Sequence, residues 1–237
     1  MGKRKSTIFI IIGIVILIAL LLALGYPFVK DISDRKVLIK EAEWAITIAG
    51  STSSSDSQVK ETFDRTISDK KYHAVEKAIK VYAKELFDTL RNIEDIVSDD
   101  SLNGAIGHEN IKKDGKQFIE TKKALDDAKL KLESLKENYK KLATESYALS
   151  FAKSQGLDDK LIPLFINGTY NIISTKAELM EGNLEIVNDT LEFYSICKQI
   201  LEHLSINYDK WYLNGDTLIF YDIDVQNTYV KLKDMLK

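Results

Sequence analysis

Three histidines and a single cysteine are the side chains of this 237-residue chain best suited to metal or nucleophile chemistry. A di-iron bundle needs Glu-x-x-His on two helices and two further glutamates. None of His73, His108 and His203 has a glutamate three positions before it. No His-Glu-x-x-His, Cys-x-x-Cys or calcium-loop pattern occurs either. Cys197 shares a helical stripe with Tyr194 and Leu201 and reads as a small core residue. His203 lies further along that helix on a different side, so no thiol–imidazole pair is expected. Glu41 and Glu43 are two positions apart and point to different sides of a helix, while Asp222 and Asp224 read as helix caps. The Ser-rich stretch 50–57 lacks the Gly-Lys-Ser ending of a phosphate loop. The expectation is a chain with no catalytic residues, no cofactor and no metal, which is not an enzyme and works by binding.

The elements that would position a binding surface are helical. Proline and glycine are scarce, at 2 and 11 residues, and Lys, Glu, Leu and Ile dominate. A net charge of -3 gives no basic face for nucleic acid.

Residues 1–5 carry Lys3, Arg4 and Lys5 and read as a short cytoplasmic tail. Residues 6–29 contain no charge. At ~1.5 Å per residue they are long enough to cross a ~30 Å hydrocarbon core. Ile8, Phe9, Ile12, Ile16, Leu20 and Leu24 are the apolar body of this transmembrane anchor, which would sit in membrane lipid. The rival is a cleaved signal peptide ending near Ala23-Leu24-Gly25, which would make the protein secreted. Beyond the span, Lys30, Arg35 and Lys36 are mixed with Asp31 and Asp34, so the basic bias places the C-terminal body outside the cytoplasm.

Residues 30–57 read as a juxtamembrane amphipathic helix (Val37, Ile39, Ala42, Trp44, Ile46, Ile48) and a Ser-rich linker. Residues 58–237 read as an elongated antiparallel, coiled-coil-like helical bundle. Within it Tyr72, Val75, Ile79, Tyr82, Leu86, Leu90, Ile93 and Val97 form one apolar stripe. Ile111, Phe118, Leu125, Leu132, Tyr139 and Ser146 repeat every seven residues, which predicts one long helix over 108–154. Lone polar seam residues argue for an intramolecular bundle, with a homo-oligomeric zipper as the alternative. Asp158 or Asp159 caps the next helix, and Gly168 inside it marks a close helix approach. Glu181-Gly182-Asn183 is expected to break the chain before a last long stripe through Val187, Tyr194, Cys197 and Leu204.

One stretch departs from the all-α pattern. Residues 210–221 place Asn214-Gly215 between aromatic and β-branched runs, a β-hairpin signature. With Asn214-Gly215 as the loop, Leu213 would face Asp216 and Trp211 would face Leu218. Trp211, Leu213, Leu218 and Phe220 share one face, which must lie on the bundle because two strands alone are marginal. The second strand (Asp216, Thr217, Leu218, Ile219, Phe220, Tyr221) has no Lys or Pro to blunt its edge and is the candidate partner-binding edge. The reading is a membrane-anchored extracytoplasmic protein of the bacterial cell envelope that acts on a protein partner as a structural, adaptor or immunity/exclusion factor. The alternative is an extracytoplasmic ligand-binding or sensory bundle.

Overall fold

The computed structural model describes residues 29–51 and 54–236. The anchor residues Ile8, Phe9, Ile12, Ile16, Leu20 and Leu24 lie outside them. Among the described residues no helix is long and apolar enough to cross a membrane. The protein is mostly helical, with a two-stranded antiparallel hairpin near its C-terminus.

Helical residues 29–49 (α1) enter the core rather than lying beside it. Leu38, Ala42, Ala45, Ile46, Ile48 and Ala49 are buried, while Val37 and Trp44 face outward. The stripe is therefore rotated from the expected one, because Glu41 turns inward to meet cations from other helices. Trp44 donates from Nε1 to Thr62 Oγ1 at 3.1 Å. Thr62 belongs to α2 (Asp56–Asp64), which starts at a Ser55–Gln58 capping box inside the Ser-rich stretch. α2 runs back along α1, so α1 and α3 (His73–Val97) end up parallel: Asp31 sits at Tyr72, and Gly50 shares a cleft with Leu90.

The α3 stripe is buried from Tyr72 to Ile93, as its spacing requires. α4 (Asp100–Asn103) is a single turn. The expected helix over 108–154 is three helices: α5 (His108–Asp114), α6 (Ile119–Leu142) and α7 (Glu145–Ser154). The first break has a local cause. Gly115 takes φ 71° and Phe118 takes φ 51°, both left-handed. Asp114 then accepts from the Glu120 and Thr121 N–H groups and caps α6. At the second break Thr144 caps α7 through Tyr147 N–H. The heptad positions Ile111, Phe118, Leu125, Leu132 and Tyr139 are buried, and the seam then passes to Ala148 and Ala152, leaving Ser146 exposed.

α8 (Ile162–Gly168) and α9 (Tyr170–Ser174) close one end over the Tyr82, Phe151 and Phe165 rings. Gly168 is the close approach: a Cβ there would lie 2.6 Å from Ile79 Cδ1 and 3.2 Å from Ala42 Cβ. α10 (Ala177–Ile206) runs unbroken through Gly182, contrary to the sequence expectation. A lone helical glycine costs only ~1 kcal/mol, and the packing of Val187, Tyr194 and Leu201 on the bundle outweighs it. α6 is antiparallel to both neighbours, with Tyr82 hydroxyl donating to Leu142 O and Lys198 pairing with Asp126.

The far end carries β1 (Trp211–Asn214), β2 (Thr217–Phe220) and α11 (Ile223–Asp234), the last capped by Asp222. The register is Trp211↔Phe220, Leu213↔Leu218 and Asn214↔Thr217, so the loop is Gly215-Asp216 and not Asn214-Gly215. Gly215 alone in the turn is left-handed (φ 60°), the arrangement with glycine first. Asn214 thereby avoids a positive φ and adds a ladder pair. The shift is two residues, an even number, so the Trp211 face still packs inward. Trp211 is buried, stacks on Phe118 at 6.1 Å, and donates from Nε1 to Leu204 O at 2.8 Å.

Candidate functional site

The candidate edge sits at the end of the bundle remote from residue 29. Asp31 meets the start of α3, and Tyr194 hydroxyl donates to Ile96 O near its end. α10 continues past that level to the hairpin. At ~1.5 Å per residue this places the hairpin about 50 Å from the entry of α1.

Tyr221 N–H donates to Lys210 O at 2.9 Å, which makes that a hydrogen-bonded pair of the ladder. Bonded and non-bonded pairs alternate, so the N–H and C=O groups of Leu218 and Phe220 point away from β1. On the opposite edge Trp211 O is occupied by Lys116 Nζ at 3.0 Å. The six edge residues do not behave alike. Asp216 is tied to Lys112 at 3.1 Å and to His108 at 3.2 Å, which holds its carboxyl below the usual range. Thr217 is exposed, Leu218 and Ile219 are half-buried, and Phe220 rests on the Tyr229 ring at 5.2 Å. Tyr221 is 72% exposed and stacks on Tyr212 at 5.1 Å. A cavity of ≈ 350 Å³ lies under the turn, between Ile111, Leu218 and Tyr229. What this arrangement offers is a short backbone edge beside a tyrosine pair, the amphipathic chemistry of protein contacts.

A second polar constellation escaped the sequence reading. Lys80 is buried and its ammonium reaches Glu41 at 3.0 Å, Glu76 at 2.9 Å and the Arg65 carbonyl oxygen. Arg65 clasps Glu41 through Nε at 2.9 Å and through its second guanidinium nitrogen at 2.7 Å. Glu76 also accepts from Ile67 N–H at 3.0 Å and Ser68 N–H at 2.8 Å. Burial would raise the Glu76 carboxyl, but the bonds from Ser68, Lys80 and Ile67 outweigh it and hold it at about 2. The Lys80 ammonium is held among these three acceptors, and the group clamps the 65–68 segment onto α3. A cleft of ≈ 530 Å³ opens beside it, lined by Phe63, His73, Lys77 and Lys84 among others. Only the Glu76/Lys80 spacing of four was visible in sequence; nothing there brought in Glu41.

Of the other chemistry-bearing residues, His73 borders this corner, while His203 and Cys197 lie on α10. His73 Nε2 bonds Ser68 O at 2.7 Å, and His203 Nε2 bonds Val225 O at 2.9 Å. Cys197 is buried, and burial pushes its thiol up to about 11. Among the described residues no group of three or more His, Cys, Asp or Glu could hold a metal ion.

No protein family, curated protein or solved structure matches this chain.

Proposed function

We propose that this chain is a single-pass protein of the bacterial cell envelope that presents its helical body outside the cytoplasm and acts by binding another protein. Residues 6–29 serve as the anchor and the β2 edge serves as the dock. The observation that carries the reading is the pair of Leu218 and Phe220 backbone groups that point away from β1, near the exposed Tyr212–Tyr221 stack, at the end of the bundle farthest from residue 29. An anchored body of this kind holds that edge about 50 Å from the point where the chain leaves the lipid, clear of the bilayer surface. A strand added to β2 gains main-chain hydrogen bonds, and the tyrosines supply apolar contact area.

The test is a photo-crosslinking residue at Thr217 of the full-length protein in its native cell, with exposed Lys131 on α6 as control. A discrete adduct at Thr217 and none at Lys131 is the expected result. No adduct at Thr217, or the same set at both positions, refutes the hairpin as a dock and leaves it as the plug over Phe118.

A further inference from the structure

The chain contains three Asn-Gly pairs, Asn103-Gly104, Asn167-Gly168 and Asn214-Gly215. Such a pair can lose ammonia without an enzyme. The glycine nitrogen, once deprotonated, attacks the side-chain carbonyl carbon of the asparagine, and the missing Cβ leaves room for the approach. A glycine N–H that is hydrogen-bonded, or a glycine wedged in a core, is held back from this reaction. A free and exposed one is not.

The fold treats the three pairs differently. Gly104 N–H donates to Asp100 O at 2.9 Å and Asn103 Nδ2 donates to Val97 O at 3.1 Å, so both reacting groups are tied. Gly168 is the last residue of α8 and is buried against Ile79 and Ala42, while Asn167 Oδ1 accepts from Asn171 at 2.7 Å. Asn214 and Gly215 are exposed. Among the described residues neither the Gly215 N–H nor the Asn214 side chain has a hydrogen-bond partner. A Cβ built on Gly215 meets nothing within 4 Å, so water and hydroxide reach the turn freely. The next residue, Asp216, would oppose an amide anion, but Lys112 lies 3.1 Å from it and offsets its charge.

We infer that Asn214 is a self-modifying site, which converts to aspartate and isoaspartate in the folded protein. Base takes the Gly215 N–H proton, the nitrogen lone pair closes on Asn214 Cγ, and the Cγ–Nδ2 bond breaks to release ammonia. The product is a five-membered succinimide through residues 214 and 215. Water then opens the ring. Attack at Cγ leaves aspartate on an unchanged backbone. Attack at the main-chain carbonyl leaves isoaspartate, in which the chain runs through Cβ and Cγ and the former carbonyl carbon carries a free carboxylate. Nothing is oxidised or reduced, and water is the one co-reactant. Either product adds a negative charge at the turn. In isoaspartate the carbonyl that closes the ladder against Thr217 leaves the main chain, so the head of β2 is released. An effect on partner binding rests on the β2 edge being the dock; the chemistry at Asn214 does not.

The experiment holds the purified full-length chain, in detergent micelles, in mildly alkaline heavy-oxygen water and maps its peptides by mass spectrometry, with fragmentation that separates aspartate from isoaspartate. Solvent oxygen marks every carboxyl formed during the incubation. The expected result is label at 214 in both isomers, roughly tenfold ahead of 103 and 167, because a tied pair reacts only after local opening. In denaturant the three pairs should react at similar rates, which assigns the difference to the fold. In the isoaspartate fraction the Thr217 amide should exchange its hydrogen faster than in the unmodified chain. No label at 214 in the folded chain, or label there no faster than at 103 or 167, overturns the proposal; unchanged exchange at Thr217 overturns the release of β2. Crosslinking at Thr217 is read separately, so the docking reading and this one fail independently.

Discussion

Lys80→Met tests whether the buried ion cluster holds the α1–α3 corner. The ammonium lies 3.0 Å from Glu41 Oε1 and 2.9 Å from Glu76 Oε1, and both carboxylates are almost wholly buried. Without it, two like charges face each other across at most about 6 Å and repel by roughly 3 kcal/mol at an effective dielectric of ~20. The Arg65 carbonyl also loses its donor, at about 1–3 kcal/mol. Methionine fills the stem volume, so little of the loss is packing. The expected destabilisation is about 4–6 kcal/mol, a large share of the ~5–15 kcal/mol typical of a domain. Urea unfolding followed by circular dichroism should show the midpoint falling by roughly 1–2 M. Adding Glu76→Gln removes one of the facing charges and should restore part of the loss. A second signature is pH. Glu76 is held at about 2, below its ordinary 4.5, so its contribution is fully present above about pH 5 and is lost as pH falls towards 2. In Lys80→Met the Glu76 carboxyl rises, so the acid loss begins at higher pH. A midpoint change worth less than about 1 kcal/mol, or no recovery with Glu76→Gln, would refute the clamp.

Other consequences are as direct. Gly168→Ala should destabilise by about 1–3 kcal/mol, read by thermal unfolding, because its Cβ meets Ile79 and Ala42 at 2.6 and 3.2 Å. Glu185→Lys should stabilise by roughly 1–2 kcal/mol at low salt, since it turns two repulsive four-residue spacings, to Glu181 and Asp189, into attractive ones; high salt should erase the gain. Cys197 should resist a thiol reagent at pH 8 in the folded protein and react on addition of denaturant, because burial raises its thiol to about 11. Prompt labelling of the folded chain would count against the described packing of α10.

The features legible in the sequence were those written in local spacing. The α3 stripe from Tyr72 to Ile93 and the heptad seam from Ile111 to Tyr139 bury where their periods put them, because period selects the inward face. The seam did not disclose its breaks. Phe118 keeps its seam position while its backbone turns left-handed, and the compensation, stacking on Trp211, comes from far along the chain. Gly182 carried a break signal that tertiary packing overrode, whereas the interruption at Lys176 carried none. The hairpin's faces were readable from alternation, but its register turned on which of Asn214 and Gly215 would take the positive φ. The Lys80 cluster was invisible, since Glu41, Arg65, Glu76 and Lys80 come from three separate segments and meet only through the reversal of α2.

The seat of α1 has a consequence for how the chain is made. Its Ala42 waits for Gly168, and its Glu41 for Lys80, so this helix is completed by segments synthesised long after it. At ~5–20 residues per second, the stretch from 42 to 168 takes roughly 6–25 s to appear. Through that interval the apolar face of Leu38, Ala42, Ala45 and Ile46 has no cover from α8. If residues 6–29 act as the proposed anchor, they would hold that uncovered face at the membrane, one chain to a site, until α8 arrives.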